Sequence, residues 1–210
     1  MKEALRIETE RMDDLPLLIT HMQRMNLAEV LDKHIPTHGH RKGLSVGELC
    51  VTWLAHILSQ ADHRMNRVQE WASRRLETLR GCGMEALGLQ DLTDDRLADV
   101  LRLLSDDVHW HAFEQELMGQ LVRVYDLTTQ VVRIDTTTAS SYADVNEQGL
   151  LQLGHSKDHR PDLPQLKLVL ASLDPLGIPL ATDVNANSQL GSEPLLVCLL
   201  ALKQRTPMPR

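Results

Sequence analysis

Apolar and polar positions in the first 128 residues follow the spacing of amphipathic α-helices. Apolar residues from Leu15 to Leu31 recur at intervals of three and four, which predicts one or two short helices. Ser45 and Glu48 stand three positions apart before an apolar run, a pattern typical of a capping box at the start of a helix. This first stretch is therefore predicted to be helical.

Three further helices are predicted before residue 128. A polar helix over residues 62–79 follows the apolar one, with its arginines facing outward. Thr93 is expected to cap the next helix, because two aspartates follow it and suit the positive end of the helix dipole. The last helix of this part runs over residues 107–124.

The pattern then changes to β-branched and alternating positions. Residues 130–138, 165–173 and 178–184 are predicted strands. Residues 174–177 read Asp-Pro-Leu-Gly, which favours a tight turn, so the second and third strands should form a hairpin. A final helix is expected over residues 192–204.

Helices followed by a group of strands indicate an α+β fold with two domains. We expect an all-helical N-terminal domain over residues 1–128 and a β-rich domain over residues 129–210.

Composition narrows the class of protein. The 210 residues are 42% hydrophobic but only 3% aromatic, which indicates an aliphatic core. No apolar run reaches the roughly 18 residues of a membrane span, and the charged N-terminus lacks the centre of a signal peptide. Cys50, Cys82 and Cys198 are odd in number and widely spaced, which favours reduced thiols in the cytoplasm.

Charge is unevenly distributed along the chain. The net charge is −7, yet residues 33–80 hold eight basic residues against four acidic ones. Such a basic face can contact nucleic-acid phosphates even on an acidic protein. A solvated helical surface explains the same charges without a ligand. The basic residues are Lys33, Arg41, Lys42, Arg64, Arg67, Arg74, Arg75 and Arg80.

Asp135 is the strongest candidate for a catalytic, metal-binding residue, because it ends a β-branched run. Side chains alternate along a strand, so Arg133, Asp135 and Thr137 should share one face. A rigidly held carboxylate suits Mg²⁺, which takes hard oxygen ligands and substrate phosphates. The simpler interpretation is an aspartate that caps the strand or bonds the adjacent threonines.

The histidines and tryptophans have simpler explanations than a functional site. His34, His38 and His40 with Cys50 lack the spacing of a closed zinc site, so hydrogen-bonded or solvated histidines are the better interpretation. The three tryptophans, Trp53, Trp71 and Trp110, fall within or beside helical apolar stripes, which favours core positions over base stacking.

Four segments in register resemble the DDE transposases of bacterial insertion sequences, enzymes with an RNase H-like core. Arg-Ile-Asp-Thr-Thr-Thr at residues 133–138 resembles the family's first-strand motif. Residues 154–163, Gly-His-Ser-Lys-Asp-His-Arg-Pro-Asp-Leu, resemble the loop before its second strand. Residues 177–180 resemble its hairpin turn, and residues 92–97 resemble a motif in the preceding helical region.

The resemblance implies DNA transposition by magnesium-dependent phosphodiester cleavage and strand transfer. Asp135 would be the first acid of the catalytic triad and a Mg²⁺ ligand. The helical part would bind the ends of the element, chiefly through residues 41–80. In the loop, Lys157, His159 and Arg160 are candidate phosphate contacts; ion pairs of Lys157 and Arg160 with Asp158 and Asp162 are the alternative.

The second and third acids of the family lie on elements beyond the hairpin and its following helix, whereas this sequence ends at Arg210. Asp174 lies in the turn and Asp183 on the return strand, so neither occupies the matching place. We therefore expect a truncated transposase whose core is incomplete and which retains at most DNA binding. The expected partners are DNA, at the ends of the element, and further copies of the chain. Association with a membrane is not expected. The rival interpretation is a non-catalytic helical DNA-binding regulator or an inert remnant of a mobile element.

Overall fold

The computed structural model describes residues 9–37, 43–128, 131–145, 149–154 and 159–186. In these ranges, seven α-helices precede a three-stranded antiparallel sheet, which confirms the α+β fold class. The chain forms two compact units, Met1–Phe113 and Glu114–Arg210. The boundary between the units falls inside the last helix, and the predicted boundary at residue 128 stays a prediction.

The first unit begins with the two short helices that the apolar spacing predicts, α1 (Leu15–Arg24) and α2 (Leu27–His34). They are separate because Asn26 takes a left-handed backbone conformation, with φ of 52°. Asparagine tolerates this conformation better than most residues. Side chains on one stripe of each helix are buried: Leu15, Ile19, Met22, Leu27, Val30 and Leu31.

Helix α3 (Val46–Gln60) starts at the predicted capping box. The Ser45 hydroxyl accepts from the Glu48 backbone N–H at 3.1 Å, and the Glu48 carboxylate accepts from the Ser45 N–H at 2.9 Å. The next residues pack closely against α2. The Gly47 N–H donates to Asp32 at 2.7 Å, and a Cβ at Gly47 would lie 2.1 Å from the carbonyl oxygen of Ala28.

The prediction of a single polar helix over residues 62–79 is wrong. Two helices occupy this stretch, α4 (Met65–Ser73) and α5 (Leu76–Gly81). They are interrupted at Arg75, whose backbone (φ −143°, ψ 22°) is not helical. At this break the Arg75 guanidinium donates to Asp13 at 2.9 Å, a residue remote in sequence.

A loop with a short 3₁₀ turn (Leu89–Leu92) leads into α6 (Asp94–Leu104). Thr93 caps α6 as predicted, since its hydroxyl accepts from the Arg96 N–H at 3.4 Å. Helix α7 (Asp107–Val124) follows, in agreement with the predicted range. Trp53 and Trp71 are buried, and Trp110 is half-buried with its ring 5.2 Å from that of Phe113.

The sheet of the second unit has the order β1-β2-β3, with β1 (Val132–Ser140), β2 (Gln165–Leu173) and β3 (Ile178–Ala186). The predicted hairpin is confirmed, because β2 and β3 are antiparallel neighbours across the four-residue turn. β1 continues to Ser140, two residues beyond the predicted end at residue 138, so the carboxylate of Asp135 does not lie at the end of the strand. Asp135 is the fourth of nine strand residues and pairs with Leu170.

One face of the sheet carries the buried apolar side chains. Val169, Ala171 and Ala181 form one cluster with Val132, and Leu173 and Leu180 pack with Val122 of α7. Alternation along β2 puts Leu168 and Leu170 on the other face, where they are 38% and 40% exposed. The predicted helix over residues 192–204 lies outside the described residues.

None of the helices in the described ranges is both long and apolar enough to span a bilayer.

Candidate functional site

An open cavity of about 400 Å³ lies in the helical unit, bordered by α3, α4 and the segment before α1. Arginine is its commonest lining residue. Six lining residues matter for its chemistry: Arg11, His56, Arg67, Trp71, Arg74 and Arg75. We refer to this feature as the arginine cavity.

Asp13 holds two of these arginines. Its carboxylate accepts from Arg75 at 2.9 Å and from Arg11 at 2.9 Å. The side-chain hydrogen bond from Arg75 is the main reason why the pKa of Asp13 lies below its ordinary value, and Arg11 acts in the same direction. Arg75 is 8% exposed, so the expectation that it faces outward is wrong.

Glu70 holds the other two arginines from within α4. One carboxylate oxygen accepts from Arg74 at 2.6 Å, and the other accepts from Arg67 at 3.4 Å. Both arginines are more than half exposed, so their remaining N–H groups face solvent-accessible space. The outward orientation predicted for Arg67 and Arg74 is therefore confirmed.

His56 and Trp71 form the floor of the arginine cavity. Their rings meet edge to face with centroids 5.0 Å apart, and the Arg75 guanidinium lies 5.7 Å from the Trp71 ring centroid. His56 Nδ1 and Trp71 Nε1 are buried without a hydrogen-bond partner. Burial lowers the pKa of His56; the charge of Asp62 opposes this effect, and that of Arg75 adds to it.

The predicted basic face has two further described arginines: Arg80, which pairs with Glu77 at 2.8 Å, and Arg64. Arg64 forms a two-pronged ion pair with Asp62, in which Nε and Nη2 donate at 2.9 Å and 2.7 Å. These bonds lower the pKa of Asp62 well below its ordinary value. Arg41 and Lys42, also predicted to bind DNA, lie outside the described residues.

In the loop before β2, Arg160 forms the ion pair with Asp162 that was the alternative to phosphate contact. Arg160 Nη2 and Nε donate to Asp162 at 2.8 Å and 2.9 Å, and this pair raises the pKa of the guanidinium above its ordinary value. The buried Gln165 side chain donates to the Arg160 carbonyl at 2.8 Å. His159 has a left-handed backbone, with φ of 57°, and Lys157 lies outside the described residues.

Asp135 is exposed in the middle of β1. Its carboxylate accepts from the Thr136 N–H at 2.8 Å, which is the bond to an adjacent threonine considered above. Thr136 pairs with Val169, which pairs with Asp183, so Asp183 lies in the neighbouring row of the sheet and on the opposite face from Asp135. Asp174 is bound by Arg133 at 2.9 Å.

Metal-ligating residues do not gather in the described part of the chain: no group of three histidine, cysteine or acidic residues there is placed to hold an ion. Two histidines of the zinc hypothesis, His38 and His40, lie outside it.

Comparison with protein families gives one match. Residues 7–115, just over half of the 210 residues, match the model of a domain of unknown function, DUF4277. The chain belongs to the DUF4277 family. The DUF4277 match covers α1 to α6 and the first half of α7, so the whole arginine cavity lies within it. Searches of curated proteins and of solved structures returned no match.

Sequence reasoning missed Arg11 and His56, two of the six lining residues named above, and also Asp13, which binds Arg11 and Arg75. Arg11 and Asp13 precede the first apolar stripe and lie far in sequence from the basic stretch. His56 stands among apolar residues of α3, and a histidine there is the one local signal that could have been noticed.

Proposed function

We propose that the helical DUF4277 unit binds DNA. The single observation that supports this function is the convergence of four guanidinium groups on one open cavity of an acidic protein. Arginine is well suited to phosphate, since its planar fork of donors matches the phosphate oxygens.

We further propose that this DNA binding belongs to a transposase of a bacterial insertion sequence. The support is the resemblance of residues 133–138 and 154–163 to the family's motifs, together with an antiparallel hairpin at the expected place. Action on bacterial DNA would place the protein in the cytoplasm.

The family's chemistry would require Mg²⁺ held by three carboxylates, and the described residues do not fit that site. Asp135 offers one exposed carboxylate, whereas Asp183 lies on the other face of the sheet and Asp174 is occupied by Arg133. We therefore assign no cleavage step to the described residues, and DNA binding is the proposed activity of the 210-residue chain.

A gel-shift experiment tests the proposal. The probes are duplexes carrying the terminal repeats of the element that encodes the chain, with shuffled duplexes of equal length as controls. We expect tighter binding to the terminal repeats. Equal binding to both probes would leave only non-specific affinity and would contradict recognition of the element.

A nuclease assay with Mg²⁺ separates the enzyme from the binding protein. We expect the 210-residue chain to leave the terminal-repeat duplex uncut, in common with an Asp135→Asn variant. Cleavage by the wild-type chain that disappears in Asp135→Asn would show that it is a complete enzyme.

A further inference from the structure

We infer that the arginine cavity holds a single phosphodiester group of the DNA backbone. This inference rests on the proposed DNA binding and specifies where a phosphate lies and which groups contact it. Arg67 and Arg74 would supply the accessible donors, while Arg75 and Trp71 would form the back of the site.

The charge of the cavity favours an anion. Its lining has four arginines against two acidic residues, Asp62 and Glu70, a formal excess of two positive charges. The excess stays at two when the bonded neighbours are included, because Asp13 pairs with Arg11 and Arg75 while Arg64 pairs with Asp62. A phosphodiester carries one negative charge, which this excess would attract.

The carboxylates preorganise the arginines without using all their donors. Glu70 orients Arg67 and Arg74, each through a single nitrogen, and a guanidinium has five N–H groups. The other N–H groups of these two side chains can therefore bind a phosphate while the ion pairs persist. Because both side chains are already oriented, less conformational entropy is lost when the phosphate binds.

Trp71 lies beneath the arginines of the cavity. Its ring centroid is 5.7 Å from the Arg75 guanidinium, and its Nε1 is buried without a hydrogen-bond partner. Because this nitrogen is closed to solvent, the arginines alone would bind the phosphate, and the indole N–H would report on an anion bound next to it.

The salt dependence of DNA affinity tests the inference on the full chain. The probe is a fluorescently labelled random-sequence duplex, and anisotropy gives the affinity between about 50 and 200 mM salt. In the double variant Arg67→Gln/Arg74→Gln, we expect affinity to fall about tenfold and the slope of log K against log salt to decrease in magnitude by about 1, the effect of one lost phosphate contact. Both residues are more than half exposed, so the fold should be retained.

The matched control is Arg24→Gln/Arg102→Gln. It removes the same charge from exposed positions of the same unit that do not line the cavity. We expect its affinity and slope to stay close to those of the wild type. An equal loss in both double variants, or no loss in Arg67→Gln/Arg74→Gln, would overturn the inference while the proposed DNA binding stands.

The indole N–H signal of Trp71 in a ¹H–¹⁵N NMR spectrum gives a second readout. We expect it to shift when the duplex is added and to stay in place in Arg67→Gln/Arg74→Gln at the same DNA concentration. A shift with inorganic phosphate in a protein that does not bind DNA would overturn the assignment to nucleic acid. A wild-type chain that binds neither probe would instead refute the proposed function itself.

Discussion

Asp13 and Arg75 form a 2.9 Å ion pair between positions 62 residues apart. Their side chains are 21% and 10% exposed, so the pair is largely shielded from solvent. It ties the segment before α1 to the junction of α4 and α5 and fixes one wall of the arginine cavity.

Removal of this pair should destabilise the helical unit. We expect Arg75→Met and Asp13→Asn each to lower the melting temperature by several degrees, because each leaves a partly buried charge without its partner. The double variant should lose less than the sum of the single losses, as a double-mutant cycle on thermal unfolding would measure. Additive losses would mean that the two side chains are not coupled.

The same pair predicts an effect of acid. Because the pKa of Asp13 is lowered in the folded state, its contribution is present above about pH 4 and is lost as pH falls through the folded-state pKa. Urea unfolding between pH 3 and pH 6 should therefore show a smaller loss of stability in Asp13→Asn than in the wild type. If the free energy of unfolding falls equally with decreasing pH in both proteins, this expectation is contradicted.

Gly47 should not tolerate a side chain. A Cβ there would lie 2.1 Å from the Ala28 carbonyl oxygen, so Gly47→Ala must push α3 away from α2. We expect a loss of about 3 kcal/mol in the free energy of unfolding, at the upper end for overpacking. The control is Gly81→Ala in α5, where nothing lies within 4 Å; it should be neutral or stabilising by up to about 1 kcal/mol.

The capping box of α3 should contribute measurably to stability. Ser45→Ala removes the acceptor for the Glu48 N–H, and we expect a cost of about 1 kcal/mol in urea unfolding. Ser59→Ala is the matched control in the same helix, since its hydroxyl accepts from the exposed Gln60 side chain. Equal costs for the two substitutions would show that the cap adds nothing.

His56 should make the stability of the protein depend on pH. Burial lowers its pKa in the folded state, so the unfolded chain binds the proton more readily. Stability should be greatest above about pH 6.5, the ordinary pKa of histidine, and decline as pH falls towards the folded-state value. A His56→Gln variant should lose this part of the pH dependence, which thermal melts from pH 5 to pH 8 would measure.

Features that depend on neighbouring residues could be predicted from the sequence. The capping box at Ser45, the cap at Thr93 and the limits of β2 follow from patterns only a few residues long, and the structure confirms them. The hairpin belongs to the same group, because its turn sequence lies between two strongly apolar strands.

Features set by distant residues could not be predicted. The break at Arg75 coincides with an ion pair to Asp13, 62 residues away, and the local sequence Ser-Arg-Arg contains no helix breaker. β1 extends two residues beyond its predicted end at residue 138, because Ala139 and Ser140 pair with Leu166 and Gln165 of β2. The arginine cavity is likewise assembled from segments whose proximity exists only in the folded chain.

Helix α7 determines how this protein can be divided for experiments. The family match stops at residue 115, nine residues into a helix of 18. A fragment cut there would keep only half of α7, a length at which an isolated helix is marginal in water. The helical part should instead be studied within the full chain, in which α7 ends at Val124 and Val122 keeps its packing against Leu173 and Leu180.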